Sequence, residues 1–183
     1  NGRFGVVYDS LGQHEQALPY HQTQLQLAEA HQWPYVLAGA CGNLGNAHAN
    51  LGDYAKAMPL YERQLAVAKQ HGFLREHTNA LANIGQYYKD IADYDPALDV
   101  GLQRLEVART MDDPYVEGQV YGALGTIYQR LDQFEQALES HTRYLGLATQ
   151  TDNLEGVGRA HAGLGIVYRQ TRRPDLGITH MQQ

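Results

Sequence analysis

A repeat with a period of 40 residues runs through the 183-residue chain and constrains its fold more than any other feature. At one repeat position, the glycine column, a glycine recurs in every unit without insertion or deletion. At a second position, the alanine column, an alanine follows at a fixed distance in four units. Such self-similarity is typical of proteins in which each repeat is one supersecondary unit that packs on its neighbours. The glycine column consists of Gly5, Gly45, Gly85, Gly125 and Gly165, and the alanine column of Ala17, Ala57, Ala97 and Ala137.

Each repeat is predicted to contain two helices, A and B. Apolar and small residues recur at i, i+3, i+4 and i+7, which is the spacing of an amphipathic helix. Short polar turns such as Gly52-Asp53-Tyr54 separate the two helices, and no alternating β-branched run predicts a strand. The predicted helices A span 38–51, 78–91, 118–131 and 158–171, and the predicted helices B span 54–70, 94–110 and 134–150.

We therefore expect an all-α fold, a single solenoid domain of antiparallel helix hairpins over residues 1–183, with about four and a half repeats. Because each hairpin buries its apolar face on its neighbours, the terminal helices lack a cover. Ile178 and Met181 have no following helix, so we expect fraying or end-to-end self-association there. The predicted repeats are 1–37 with a shortened helix A, 38–77, 78–117, 118–157, and 158–183 with a shortened helix B.

The glycine column is expected to mark a close approach between helix A and helix B, opposite the alanine column. A glycine inside a helix costs roughly 1 kcal/mol relative to alanine, so five of them in one register indicate a compensating contact. The alternative is that these glycines only weaken the helices and mark loops. The close-contact interpretation predicts that Gly125→Leu destabilises the fold by overpacking.

Composition and charge exclude several classes of protein. The chain has 14 Lys and Arg against 20 Asp and Glu, a net charge of −6, which disfavours a general nucleic-acid binder. Its apolar runs are too short to span a membrane, so no membrane partner is expected. A single cysteine, Cys41, excludes an internal disulfide and suits a reducing compartment. With no targeting signal visible, a cytoplasmic location is expected.

The sequence contains no convincing catalytic or metal-binding constellation. The nine histidines lack the close His/Cys spacing of a zinc site, and neither a phosphate-binding loop nor a nucleophile elbow occurs. Cys41 is expected to be a buried small hydrophobe. The repeated tyrosines at Tyr8, Tyr88, Tyr128 and Tyr168 could stack on nucleotide bases, but core packing is favoured. We expect no metal, no cofactor and no enzymatic activity.

The segment Leu124-Gly125-Thr126-Ile127-Tyr128, followed by Ala137, resembles the tetratricopeptide repeat. The resemblance covers essentially the whole chain, although the common period is 34 and the usual tryptophan of helix A is absent. The 40-residue spacing resembles the subclass found in the Pins/LGN cell-polarity adaptors and in many bacterial multi-repeat sensors. The resemblance implies a right-handed superhelix with helix A lining its concave groove. The positions of the usual tryptophan hold Cys41, Leu81, Tyr121 and His161.

The helix A positions not used for packing are rich in amides and basic residues. Amides offer donors and acceptors together, which suits the backbone of an extended peptide, and basic residues in the C-terminal half favour an acidic segment. In the polarity adaptors such residues hold partner peptides, and by that resemblance Asn43, Asn83 and Arg159 fall on groove positions. The alternative is a solvated helix face. The candidate groove residues are Asn43, Asn46, Asn50, Asn79, Asn83, Gln86, Lys89, Gln119, Thr126, Gln129, Arg130, Arg159 and Arg169.

The sequence therefore favours a protein-interaction scaffold that binds an extended, acidic peptide in this groove. The alternative is a peptide- or ligand-sensing regulatory module of a larger multidomain protein. A protein or peptide partner is expected in both cases.

Overall fold

The computed structural model describes residues 2–171, and within that range the chain forms nine α-helices and no strand. Odd-numbered helices correspond to helix A and even-numbered helices to helix B, so the predicted all-α class is confirmed. The helices are α1 (Gly2–Ser10), α2 (His14–Ala30), α3 (Pro34–Asn50), α4 (Tyr54–His71), α5 (Leu74–Asp90), α6 (Tyr94–Thr110), α7 (Pro114–Arg130), α8 (Phe134–Gln150) and α9 (Leu154–Gln170).

The helices are distributed over two compact units, residues 1–87 (unit 1) and residues 88–183 (unit 2). In unit 1, α1 packs on α2, α2 on α3, and α3 on α4. In unit 2, α6 packs on α7, α7 on α8, and α8 on α9, and α7 also contacts α9. Within each unit these consecutive helices pack on one another, and the two A helices α7 and α9 lie side by side.

One residue with positive φ stands in every turn between consecutive helices. In the turn after α3, the N–H of Gly52 donates to the carbonyl of Ala49 (2.8 Å) and the N–H of Asp53 to that of His48 (2.9 Å), which is the Schellman motif that ends a helix. Glycine and aspartate tolerate this left-handed conformation better than most residues. The turn residues recur every 20 positions and are Gly12, Gln32, Gly52, Gly72, Ala92, Asp112, Asp132 and Asp152.

Helix A begins four residues earlier than predicted. In α7 the first residue is Pro114, whose missing N–H has no partner to lose in a first turn. The Asp113 side chain caps the helix by accepting from the N–H groups of Tyr115 (3.1 Å) and Val116 (3.2 Å). The predicted repeat boundaries at 38, 78, 118 and 158 therefore fall inside α3, α5, α7 and α9. The predicted helices B agree with α4, α6 and α8 to within one residue.

At Gly5, Gly45 and Gly125 the glycine column marks a close approach of helix A to helix B, and the nearest atoms there belong to a ring rather than to the alanine column. A Cβ on Gly45 would lie 2.6 Å from the ring of Tyr61, and a Cβ on Gly125 would lie 2.6 Å from the ring of His141. In both cases the ring belongs to the residue four positions after the alanine on helix B, and this ring packs against the glycine. The alanines fill the core separately, and all four are fully buried.

Two further expectations concern the ends of the chain and the membrane. The predicted exposure of Ile178 and Met181 lies outside the described residues. Among the helices that are described, none combines the length and the apolarity that crossing a bilayer requires.

Candidate functional site

A cavity of about 830 Å³ opens on unit 2. Most of its lining comes from α7 and α9, with Lys89 from the end of α5 and with His141 and Tyr144 from α8. Four lining residues are cationic, and none of the described lining residues is acidic. The cations are Lys89, Arg130, Arg159 and Arg169.

The helical repeat explains why these side chains converge. Residues three or four apart on a helix share one face, so Gln119, Thr126 and Arg130 project from the same side of α7. The 40-residue period places Arg159 and Arg169 on the matching face of α9. Because α7 and α9 lie side by side, the two faces form one continuous wall.

The positive charge of the cavity is only partly compensated. Arg159 forms a salt bridge of 2.6 Å with Glu155, and both side chains are largely exposed. Burial lowers the pKa of Lys89, while the neighbouring Asp90 acts in the opposite direction. Arg130 and Arg169 form no salt bridge with any other described residue. The described lining of the cavity is therefore positively charged.

The His141 ring lies between α7 and α9 and forms part of the cavity wall. Its side chain is 3% exposed, and neither ring nitrogen has a hydrogen-bond partner among the described residues. Burial lowers the pKa of His141 to about 4, so the ring is neutral at neutral pH. A Cβ on Gly163 would lie 2.5 Å from the ring, so this glycine is needed as much as Gly125.

Tyr144 lies one turn further along α8 and completes the wall. Its ring is 6% exposed, and burial is the main cause that raises its pKa, with Arg159 opposing it. A Cβ on Gly122 would lie 2.8 Å from this ring. Glycines in α7 and α9 thus let two helix B rings reach the cavity between helices A.

The structure brings seven of the thirteen sequence-predicted groove residues into this cavity. The other six lie on α3 and α5 in unit 1, where Asn46 accepts a hydrogen bond of 2.9 Å from the Tyr61 hydroxyl. Sequence reasoning missed His141 and Tyr144, because it considered helix A alone. The seven are Lys89, Gln119, Thr126, Gln129, Arg130, Arg159 and Arg169, and the six are Asn43, Asn46, Asn50, Asn79, Asn83 and Gln86.

The described part of the chain offers no clear site for metal binding or for a reactive thiol. No cluster of three His, Cys, Asp or Glu residues there could hold a metal ion. Cys41 is fully buried, as expected, and burial raises the pKa of its thiol to about 11, so it is protonated and unreactive.

Solved structures with the same fold cover almost the whole chain. BtubC (BKLC) from P. vanneervenii matches with a TM-score of 0.86 and 18% identity, over 97% of this chain and 74% of that chain. The apo form of RapI matches with a TM-score of 0.86 and 11% identity, over 97% of this chain but 50% of its own. At these identities the likeness shows the fold alone, a helical-repeat solenoid as predicted.

A third solved structure is a multidomain protein. A Signal Transduction ATPase with Numerous Domains from Pyrococcus horikoshii, a protein with a tetratricopeptide repeat sensor, matches with a TM-score of 0.85 and 18% identity. The match covers 98% of this chain but only 27% of that one. The chain thus spans half of RapI and about a quarter of this ATPase.

Family-level comparison agrees with the fold. Two sequence models of the tetratricopeptide repeat match, one over residues 35–110 and the other over residues 4–31 and 120–155. Comparison with curated proteins gives no match. Proteins of this family are generally non-enzymatic scaffolds that bind protein partners. Since the matched segments extend over most of the sequence, the chain belongs to the tetratricopeptide repeat family.

Proposed function

We propose that this chain is a protein-interaction module whose unit 2 cavity binds an extended, acidic segment of a partner protein. The observation that carries the proposal is the cavity itself, whose described lining has four cations and no acid. The chain as a whole has a net charge of −6, so this positive surface is a local feature. Local charge of this kind steers and selects an oppositely charged partner.

The chemistry of the lining suits a peptide. Arginine side chains can hold carboxylates with paired N–H groups, and Arg130 and Arg169 are exposed at the cavity. Gln119 and Gln129 offer amide donors and acceptors that can pair with an extended backbone. The Gln129 amide donates to the carbonyl of Gly163 (3.1 Å), which fixes its position between α7 and α9.

Peptide selection followed by titration tests this proposal. Peptides captured from a displayed random library would be measured by fluorescence anisotropy against the wild type and against Arg130→Gln with Arg169→Gln. We expect acidic peptides to be selected and the double variant to bind them at least about tenfold more weakly. Arg143→Gln, an exposed cation on α8 outside the cavity, is the matched control and should bind normally.

We also propose that the amides of unit 1 contact a peptide. Asn43 and Asn83 lie half-buried on α3 and α5. If they hold the peptide backbone, Asn43→Ala with Asn83→Ala should weaken binding without changing the circular dichroism spectrum or the melting curve. Unchanged affinity would restrict the binding site to unit 2.

A sensing module of a larger protein is the second candidate function. The likeness to RapI and to an ATPase with a tetratricopeptide repeat sensor favours it, as does a cavity within the size range of compact-ligand sites. A thermal-shift screen of small anionic metabolites separates the two candidates. Stabilisation by a compact anion and none by acidic peptides would favour the sensing module.

Three further parts of the proposal concern activity, assembly and location. We assign no catalytic step to this chain, and turnover by the purified protein would contradict that assignment. Self-association through end helices is favoured by Phe4 in α1 and by Leu11 directly after it, which are both more than 60% exposed. A mass that stays monomeric at high concentration in analytical ultracentrifugation would contradict it. We also propose a cytoplasmic location, which the single buried Cys41 suits.

A further inference from the structure

Two buried histidines occupy the same repeat position but have different surroundings. His21 in α2 packs on Gly5, and His141 in α8 packs on Gly125, with a ring carbon 2.5–2.6 Å from where a glycine Cβ would stand. His21 is fully buried, and its Nε2 lies 2.7 Å from Oδ2 of Asp9. His141 is equally buried but has no partner on either nitrogen among the described residues.

The missing partner can be traced to one repeat position. Asp9 stands four residues after Gly5, and the residue four after Gly125 is Gln129. The Gln129 amide donates to the carbonyl of Gly163 instead of contacting the ring. An unpaired polar group in a buried place is unfavourable, and no described residue meets the hydrogen-bonding capacity of the His141 ring.

The polar edge of the His141 ring faces the helices that line the cavity. Its Nδ1, Cε1 and Nε2 atoms lie 2.6–2.8 Å from the Cβ position of Gly125 and 2.5–2.7 Å from that of Gly163. Neither glycine has a side chain, so the ring edge packs directly against the backbone of α7 and α9. The ring also belongs to the wall of the cavity, whose lining includes Arg159 and Arg169.

We propose that a carboxylate of the bound peptide hydrogen-bonds to His141, in the place that Asp9 takes for His21. The inference rests on the proposed function, since it assigns one subsite within the same cavity. The cations around the cavity attract the carboxylate, and a neutral imidazole N–H donates to it. The ligand class is an acidic side chain or a free chain terminus, both of which present the same group.

The first test needs no peptide. Gln129→Asp places a carboxylate at the position that Asp9 occupies in the first repeat. We expect it to raise the pKa of His141 from about 4 toward the usual value of about 6.5, as read from a pH titration of the ring signals by NMR. Gln119→Asp adds the same charge elsewhere in the cavity and is the matched control. An equal effect of both variants, or of neither, would overturn the proposal.

The second test follows the His141 ring signals while short peptides are added. The probes are acetyl-Ala-Glu-Ala-amide, its glutamine analogue, and acetyl-Ala-Gln-Ala with a free terminal carboxylate. A shift of the His141 signals with either carboxylate probe, and none with the glutamine analogue, supports the proposal. The probe that causes the shift identifies the source of the carboxylate. No shift when the protein is saturated with a carboxylate probe, or an equal shift with the glutamine analogue, overturns the proposal.

These outcomes are separable from those of the proposed function. If library-selected peptides bind the cavity but leave the His141 signals unchanged, the subsite is wrong and the peptide-binding function stands. If no peptide binds at all, the proposed function fails, while Gln129→Asp still reports whether a carboxylate can reach the ring. Binding of selected acidic peptides to Gln129→Asp should be at least tenfold weaker than to the wild type, because the internal carboxylate competes for the same ring.

Discussion

At the scale of single residues, the contact between a helix A glycine and a helix B ring decides how closely the helices pack. A Cβ on Gly125 would lie 2.6 Å from the His141 ring. The ring cannot move away from it, because Gly163 packs on the ring from the other side. We therefore expect Gly125→Ala to destabilise the fold by about 1–3 kcal/mol in chemical denaturation. Gly158→Ala, where an added Cβ meets nothing within 4 Å, is the control and should stabilise α9 by about 0.5–1 kcal/mol. The same sign for both substitutions would contradict this account.

The buried His141 also makes stability depend on pH. Burial lowers its pKa in the folded state to about 4, whereas in the unfolded chain it stays near the usual value of about 6.5. As pH falls between these values the unfolded state takes up a proton that the folded state does not, so stability falls. The loss reaches about 3 kcal/mol near pH 4.

Urea denaturation at several pH values measures this effect. Burial lowers the pKa values of His48 and His77 as well, so these two residues act in the same direction. His141→Gln should remove part of the slope between pH 6.5 and pH 4 and leave the rest. A variant with the full slope of the wild type would exclude His141 as its source.

At the scale of helices and turns, the left-handed turn residues are the most exposed to strain. Ala92 has a φ of +58° in an exposed turn, a conformation that disfavours residues with a Cβ. Ala92→Gly should therefore raise the free energy of unfolding by up to about 1 kcal/mol. Ala66→Gly on the exposed face of α4 should instead lower it by about 1 kcal/mol. Destabilisation by both substitutions, measured by thermal denaturation, would show that the turn is unstrained.

The sequence predicted helix B better than helix A for a physical reason. Helix B starts directly after a turn, and its apolar pattern begins within the first few residues. Helix A starts with an exposed first turn, in which Tyr35 is 55% exposed and Tyr115 is 48% exposed, so the buried pattern begins later than the helix does. The proline at position 34 or 114, which suits a first helical turn, was the available signal.

Sequence reasoning found the charge of the candidate site but not its shape. The 40-residue period aligns Gln129 with Arg169 and Gln119 with Arg159, so the cationic face followed from the register alone. The contribution of His141 did not follow from the register, because it depends on glycines in two other helices, Gly125 in α7 and Gly163 in α9. The amide stripe of unit 1 was placed on the correct helices, although one of its members, Asn46, is engaged by Tyr61.

At the scale of the whole molecule, an acidic chain carries a basic cavity. The net charge of −6 should repel acidic ligands from most of the surface, while the cavity of unit 2 should attract them. Attraction between exposed charges weakens as salt shortens the screening length. Binding of an acidic peptide should therefore lose affinity with salt, and the double variant Arg130→Gln with Arg169→Gln should show a shallower dependence.

The most direct measurement compares one library-selected acidic peptide with its copy in which every Glu and Asp is replaced by Gln and Asn. Fluorescence anisotropy would give both affinities at about 0.05 and 0.5 M salt. The account predicts at least a tenfold preference for the acidic peptide at low salt, which shrinks at high salt and is lost in the double variant. Equal affinity for the two peptides at low salt would contradict the proposal that this cavity recognises an acidic segment.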